Sequence, residues 1–156
     1  MKKTINLLFS IAVSVSILLG AADPFLGKWT MNLEESKFAA GTLPKHMTIE
    51  MESIGVGIRY HSETTNAQGK ISSSTYTADY NGPQVIVMGS NGMQAPVSLK
   101  RIDANTVEAY YMKSLEVVAT SRRIVSKDGR LMTITTTSKD KAGVTVTNVG
   151  VYEKVH

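Results

Sequence analysis

Few residues of this chain have the type and spacing that catalysis requires. The chain contains no cysteine, which excludes a thiol nucleophile and a cysteine metal site. No serine occupies a G-x-S-x-G turn, and no glycine-rich loop could cradle a phosphate. His46 and His61 could meet across neighbouring strands, but they lack the carboxylate-rich surroundings that would favour a zinc site. We therefore expect no metal and no cofactor, and an enzyme is not the favoured interpretation.

Two arginines are the cations best placed to meet an anion inside the fold. Arg101 is two residues from the apolar Leu99 in one predicted strand, so the two side chains face the same side of the sheet. The Arg101 side chain is therefore predicted to point inward. Arg122 and Arg123 are adjacent in one predicted strand and must face opposite sides of the sheet. The small Ser121 shares the parity of Arg123 and leaves space for it, which favours Arg123 as the inward member of the pair.

These two arginines are expected at the same end of the fold as Trp29 and Lys154, which lie in the first and last strands. The guanidinium groups of Arg101 and Arg123 could hold a carboxylate or phosphate there. Alternatively, a cation stacks on the Trp29 ring as a structural floor, an interaction worth about 0.5–2 kcal/mol. The structural floor is preferred because this end lies away from the predicted ligand entrance.

The strands that carry these residues are predicted from alternation of apolar and polar side chains, as around Met47, Ile49 and Met51. The pattern recurs about every ten residues and predicts ten strands. They cover residues 27–32, 46–54, 57–65, 70–80, 84–89, 96–101, 106–113, 116–126, 130–138 and 144–154. Residues 33–38 could form a short helical turn after the first strand.

Short connections rich in Gly, Asn and Asp favour antiparallel pairing of successive strands. Closure of the sheet removes the exposed edges that an open sheet would have. We therefore predict an all-β, closed, antiparallel up-and-down barrel of about ten strands. A two-sheet sandwich is the alternative, but it needs a long crossing connection, and none follows residue 46.

Connections alternate between the two ends of such a barrel, so their lengths identify the open end. The longest ones, residues 33–45 and 90–95, share one end, which is the predicted mouth. Phe38 is expected to face this mouth beneath a flap formed by residues 33–45. Tyr60, Tyr76, Met88 and Tyr111 are predicted to line the cavity below. Tyrosine suits this role because its ring is apolar and its hydroxyl can orient a polar head group.

Residues 1–22 have the composition of a signal peptide. Lys2 and Lys3 precede an apolar stretch, residues 5–19, that is shorter than the about 20 residues of a membrane span. Small residues at 20–22 predict cleavage before Asp23, and no Cys follows that could carry a lipid; an uncleaved anchor is the alternative. Residues 23–156 are then a single periplasmic or secreted domain. Without Lys2 and Lys3 it has 15 Lys and Arg residues against 13 Asp and Glu residues, a formal net charge of +2. The basic residues form no cluster, so no nucleic-acid partner is expected.

Gly27-Lys28-Trp29 resembles the G-x-W motif of the lipocalins and the wider calycin group, in which a basic residue from a late strand packs over the tryptophan. Further segments resemble, in order and spacing, a group of small exported bacterial proteins that are lipocalin-like and functionally uncharacterised. These segments are residues 27–33, 36–38, 76–82, 99–107, 125–129 and 151–154. The resemblance covers the mature chain and implies a calycin-type barrel. Its floor would hold Gly27 and Trp29 with either Arg123 or Lys154.

Two neighbouring branches of the calycins differ from this chain at motif positions. Nitrobindin-like haem barrels have glycines where this chain has Met31 and Leu33. Fatty-acid-binding barrels have an Arg-x-Tyr pair on the last strand, whereas Tyr152 and Lys154 stand here in the reverse order. The first of these differences argues against haem as a cofactor.

The residues and the resemblance together predict an exported lipocalin-like protein that binds or carries a small, largely apolar ligand. One alternative is a ligand-free module that acts through its surface, with a filled lumen and an exposed apolar patch. Another is a cofactor-independent isomerase or cyclase, with a titratable side chain of perturbed pKa in the lumen. An interior volume above about 300 Å³ favours a ligand site.

Overall fold

The computed structural model describes residues 22–140 and 142–155, which form ten β-strands. The strands are β1 (Gly27–Lys37), β2 (His46–Ile54), β3 (Gly57–Thr65), β4 (Ile71–Asp79), β5 (Val85–Gly89), β6 (Gln94–Asp103), β7 (Thr106–Lys113), β8 (Glu116–Val125), β9 (Leu131–Lys139) and β10 (Thr145–Val155). The predicted signal peptide lies outside the described residues, apart from Ala22. Over the described part of the chain, no helix has the length and apolar character needed to cross a membrane.

The ten strands form one closed antiparallel barrel in the order β1-β10-β9-β8-β7-β6-β5-β4-β3-β2. The barrel closes through β1, because Lys28 pairs with Glu50 of β2 on one side and with Val155 of β10 on the other. The predicted barrel is therefore confirmed. The shortest ladder joins β4 to β5, which pair only at Ser74↔Gly89 and Thr75↔Met88.

The predicted helical turn after the first strand was wrong, because β1 continues to Lys37. The Asn32 side-chain oxygen accepts hydrogen bonds from the backbone N–H groups of Glu34 and Glu35, both at 3.1 Å. This local turn displaces the register, and β1 pairs with β10 again at Lys37↔Val149. The polar side chain of Asn32 thus favours a bulge within a longer strand over a helical turn. The predicted flap shortens accordingly to residues 38–45.

Apolar residues of alternating strand positions fill the end of the barrel opposite the mouth. Ile49 and Met51 of β2 are each 1% exposed, and Leu99 of β6 and Val125 of β8 belong to the same buried apolar cluster. Phe25, just before β1, covers this layer and is itself buried. Removal of this surface from water stabilises the closed end.

Gly150 of β10 allows one aromatic side chain to fold over the sheet. A Cβ atom at this position would lie 2.8 Å from Cε2 of the Tyr152 ring, a separation that packed atoms do not tolerate. The missing side chain therefore makes room for Tyr152, whose ring lies over Gly150 on the inner wall.

Candidate ligand-binding site

The mouth half of the barrel encloses a cavity of about 350 Å³. Its apolar wall comes from Phe38 after β1, Met47, Val87, Met93 before β6, and Ile134. Phe38 and Met93 belong to the connections that were predicted to surround the mouth. The volume exceeds the about 300 Å³ at which ligand pockets begin.

Arg123 of β8 projects into this cavity and is 1% exposed. Its guanidinium carbon lies 4.9 Å from the centre of the Tyr60 ring, and Nη2 donates a long hydrogen bond of 3.4 Å to the Tyr111 hydroxyl. Nε and Nη1 are buried and have no hydrogen-bond partner in the described protein, and the same holds for the Tyr76 hydroxyl. The cavity therefore contains three buried polar groups that could still donate a hydrogen bond, namely two guanidinium nitrogens of Arg123 and the Tyr76 hydroxyl.

No acidic side chain compensates the charge of Arg123 within the described residues. The side chains that line the cavity there include no Asp, Glu, His or Lys, so Arg123 is the charged group of the wall. Burial is the largest influence on the pKa of this guanidinium and acts against its charge. A buried charge without a partner costs several kcal/mol of stability. An anion from solution would remove that cost.

Three tyrosines of the cavity, Tyr60, Tyr76 and Tyr152, are neutral hydrogen-bonding groups at physiological pH. Tyr60 and Tyr76 stack with ring centres 4.8 Å apart and planes 12° from parallel. Burial raises the pKa of Tyr60, Tyr76 and Tyr152, although the charge of Arg123 acts in the opposite direction. Their hydroxyls can consequently donate to an anion without competing for the positive charge.

Alkaline titration should leave Tyr60, Tyr76 and Tyr152 protonated above the pH at which the tyrosines of the unfolded chain ionise. Because the folded-state pKa values are raised, the neutral forms stabilise the native barrel fully below the unfolded pKa of about 10, and this contribution is lost as the pH rises beyond it. Tyrosinate absorbance and far-ultraviolet circular dichroism, recorded on one sample, should show the last tyrosines ionising together with unfolding. Ionisation of all six tyrosines in a fully folded barrel would contradict this expectation.

Four of the five predicted ligand-binding residues lie on the cavity wall, namely Phe38, Tyr60, Tyr76 and Tyr111. Their role in binding a ligand stays a prediction. Met88 was wrongly placed, because its side chain is 48% exposed on the outer surface and Val87, at 4%, points inward instead. Residues 85–88 are all apolar, so this strand offers no alternation from which its inner face could be predicted.

The closed end of the barrel contains Trp29, which is fully buried. Its indole Nε1 donates to the Phe25 carbonyl at 2.9 Å, and Lys154 Nζ lies 5.0 Å from the ring centre. Lys154 also donates to the Pro24 carbonyl at 3.3 Å. A Cβ on Gly27 would approach Lys154 Cε to 3.2 Å, so the glycine leaves room for the lysine. Lys154 is thus the basic residue over this tryptophan.

Arg101 lies on the outer side of the same floor and is half-buried. Its Nη2 is 2.6 Å from Asp23 Oδ2, and its guanidinium carbon lies 3.9 Å from the centre of the Tyr80 ring. The Tyr80 hydroxyl donates to the same carboxylate at 2.8 Å. Arg101 is therefore neutralised by the residue that was predicted to begin the mature chain.

The prediction that Arg123 belongs to this floor was wrong. Arg101 and Arg123 both pair with Val107 of the intervening β7. Strands of a closed barrel are tilted and staggered, so a row of paired residues climbs along the barrel axis as it crosses the strands. This stagger carries Arg123 up into the cavity, and Val125 of the same parity is buried in the apolar layer instead.

Two features of the site were not found by sequence reasoning. The floor is completed by Asp23, Pro24 and Phe25, which contact Arg101, Lys154 and Trp29. The sequence before β1 has no pattern of apolar and polar residues that predicts this role. Ser62 and Ser74 face the cavity, and their shared parity with Tyr60 and Tyr76 was the signal that could have placed them there. Over the described residues, no three His, Asp or Glu side chains converge in a group that could hold a metal ion.

No family model and no curated protein sequence matches this chain. Among solved structures, zebrafish ileal bile-acid-binding protein complexed with cholic acid has a TM-score of 0.57 and 12% identity, with 85% of this chain and 99% of that one covered. A Schistosoma mansoni fatty-acid-binding protein in complex with arachidonic acid has a TM-score of 0.62 and 18% identity, with 88% and 100% covered. The chain has a calycin-type barrel fold. At these identities the similarity establishes the fold alone.

This calycin-type barrel places its cation differently from the Arg-x-Tyr pair that fatty-acid-binding barrels carry on the last strand. Tyr152 of β10 reaches the cavity, where its hydroxyl donates to Met47 Sδ at 3.2 Å. Lys154, two residues on, is part of the floor. The positive charge of the cavity comes from Arg123 of β8.

Proposed function

We propose that this protein binds a small amphipathic anion inside the barrel, with a carboxylate head against Arg123 and an apolar part toward the mouth. The observation that carries the proposal is the buried guanidinium with two unpaired nitrogens in an otherwise uncharged cavity. A guanidinium matches a planar carboxylate through paired hydrogen bonds. The two structural relatives lend support, because cholic acid and arachidonic acid are both carboxylic acids.

Export is part of this proposal and rests on residues 1–22. The protein would then carry or sequester its ligand in the periplasm or outside the cell. The mature chain is expected to begin at Asp23, whose carboxylate pairs with Arg101 in the floor. The intact mass of the exported protein tests this start.

The alternative functions receive less support from the cavity. An acid–base enzyme needs a group that titrates near the working pH, whereas the pKa values of Tyr60 and Tyr76 move away from neutrality. A ligand-free interaction module was expected to have a filled lumen, and the lumen holds about 350 Å³ of space.

Binding should depend on the negative charge of the ligand head. We expect nonanoate to displace anilinonaphthalene sulfonate from the protein, and nonanol, with the same chain and no charge, to bind at least about tenfold more weakly, because a hydrogen bond to a charged group is worth about 1.5–3 kcal/mol. Fluorescence competition measures both affinities, and native mass spectrometry gives the stoichiometry. Equal affinities for the acid and the alcohol would exclude Arg123 as the head-group site.

A further inference from the structure

Two pairs of hydroxyl side chains line the cavity above Arg123. Ser62 and Ser74 are direct cross-strand partners on β3 and β4, with their Oγ atoms 3.0 Å apart. Ser121 and Thr136 are direct cross-strand partners on β8 and β9. All four residues contribute to the cavity wall, and Ser62 and Ser121 are buried.

The two hydroxyl pairs face each other across the lumen. In the closed circuit, β5, β6 and β7 separate β4 from β8 on one side. On the other side β10, β1 and β2 separate β9 from β3. The same number of strands intervenes in both directions, so the pairs occupy opposite walls of one cylinder. Polar groups of a bound molecule could therefore meet hydroxyls on two sides.

A straight alkyl chain is a poor match for this part of the cavity. Each hydroxyl has one donor and two acceptor positions, and the contact between Ser62 and Ser74 uses only part of that capacity. An alkyl chain between the pairs would displace water from them and offer no hydrogen bond in return, which costs affinity. A ring that carries hydroxyl groups restores those bonds and loses less conformational freedom on binding.

We infer that the preferred ligand is a hydroxylated ring carboxylate and not a straight-chain fatty acid, an inference that rests on the proposed function. The carboxylate meets Arg123 and the Tyr76 hydroxyl, whose polar atoms are buried and unpaired. The ring hydroxyls lie between the two hydroxyl pairs. The apolar edge of the ring faces Phe38 and Met93 near the mouth.

Three acids with the same number of carbon atoms separate the contributions of the carboxylate, the ring and the hydroxyls. Caffeate has a ring and two hydroxyls, cinnamate has the ring alone, and nonanoate has a straight chain. Competition with anilinonaphthalene sulfonate should give caffeate an affinity about tenfold higher than that of cinnamate or nonanoate, as one or two additional hydrogen bonds provide.

A double variant, Ser62→Ala with Ser74→Ala, tests the origin of that preference. It removes both partners of one hydrogen bond, so neither hydroxyl is left unpaired and the fold should tolerate it. We expect caffeate to fall to within about twofold of cinnamate, while cinnamate itself is unchanged. Thr77→Ala, on the outer face of β4, is the matched control and should preserve the full preference.

The outcomes distinguish this inference from the proposed function. Cinnamate or nonanoate binding as tightly as caffeate would overturn the inference, and so would a preference for caffeate that survives in the double serine variant. If the Arg123→Met substitution lowers the affinity for any of these acids, the proposed function stands, whether or not the inference about the ring and its hydroxyls holds. If none of the three acids binds, both proposals fail.

Discussion

Replacement of Arg123 by methionine should strongly weaken anion binding and at the same time stabilise the unliganded barrel. The affinity for nonanoate is expected to fall about 100-fold, because a desolvated charge pair contributes about 2–5 kcal/mol to binding. The free energy of unfolding should rise by about 1–3 kcal/mol, since a methionine of similar length fills the site without a buried, uncompensated charge. A substitution that raises the free energy of unfolding while it lowers the affinity for the ligand is typical of a functional residue.

Arg122→Met is the matched control for this experiment. Arg122 precedes Arg123 on the same strand, but its side chain is exposed on the outer face and its Nη1 lies 2.6 Å from Glu108 Oε1. An exposed ion pair contributes at most about 1 kcal/mol, so this variant should lose little stability and no affinity. Urea unfolding and fluorescence competition measure both quantities for each variant. A loss of affinity shared equally by the two variants would show that a diffuse positive charge, and not the buried guanidinium, attracts the anion.

Replacement of Trp29 by alanine should cause the largest loss of stability. The indole is fully buried, and its removal leaves a cavity in the floor and an unpaired carbonyl at Phe25. Loss of a buried aromatic side chain costs about 3–5 kcal/mol, and Lys154 also loses the ring on which it stacks. Urea denaturation monitored by circular dichroism gives the change in unfolding free energy.

Leu131→Ala serves as the control for the floor, because Leu131 is 40% exposed on β9 and its truncation should change stability by less than about 0.5 kcal/mol. The fraction of Trp29→Ala that remains folded should still bind nonanoate, since the floor and the cavity use different residues. A Trp29→Ala variant as stable as the wild type would mean that the indole does not hold the floor together.

The ten strands could be predicted from the sequence because the alternation of apolar and polar side chains, and the residues of tight turns, depend only on neighbouring positions in the chain. The bounds of β2, β3 and β7 agree with the predicted ones at both ends. Local patterns failed where pairing with a distant strand decides the structure. The segment after Asn32 has a composition compatible with a helical turn, but pairing with β10 extends β1 to Lys37.

The height of a residue in the barrel could not be predicted, because parity gives the face of a sheet and not the position along the barrel axis. Arg101 and Arg123 were both expected to point inward, yet the stagger between β6 and β8 leaves one in the floor and carries the other into the cavity. This separation decides the function that is proposed. Arg101 is neutralised by Asp23, whereas Arg123 has no acidic partner within residues 22–140 and 142–155.

The most direct test is the side-chain Nε–H resonance of Arg123 in protein with isotope-labelled arginine, followed by nuclear magnetic resonance as nonanoate is added. Arg123→Met and Arg122→Met assign the two resonances. We expect the Arg123 signal to move downfield and saturate with the binding isotherm, because its unpaired Nε–H gains a carboxylate acceptor, while the Arg122 signal stays in place. Saturable binding that leaves the Arg123 resonance unmoved would contradict the account.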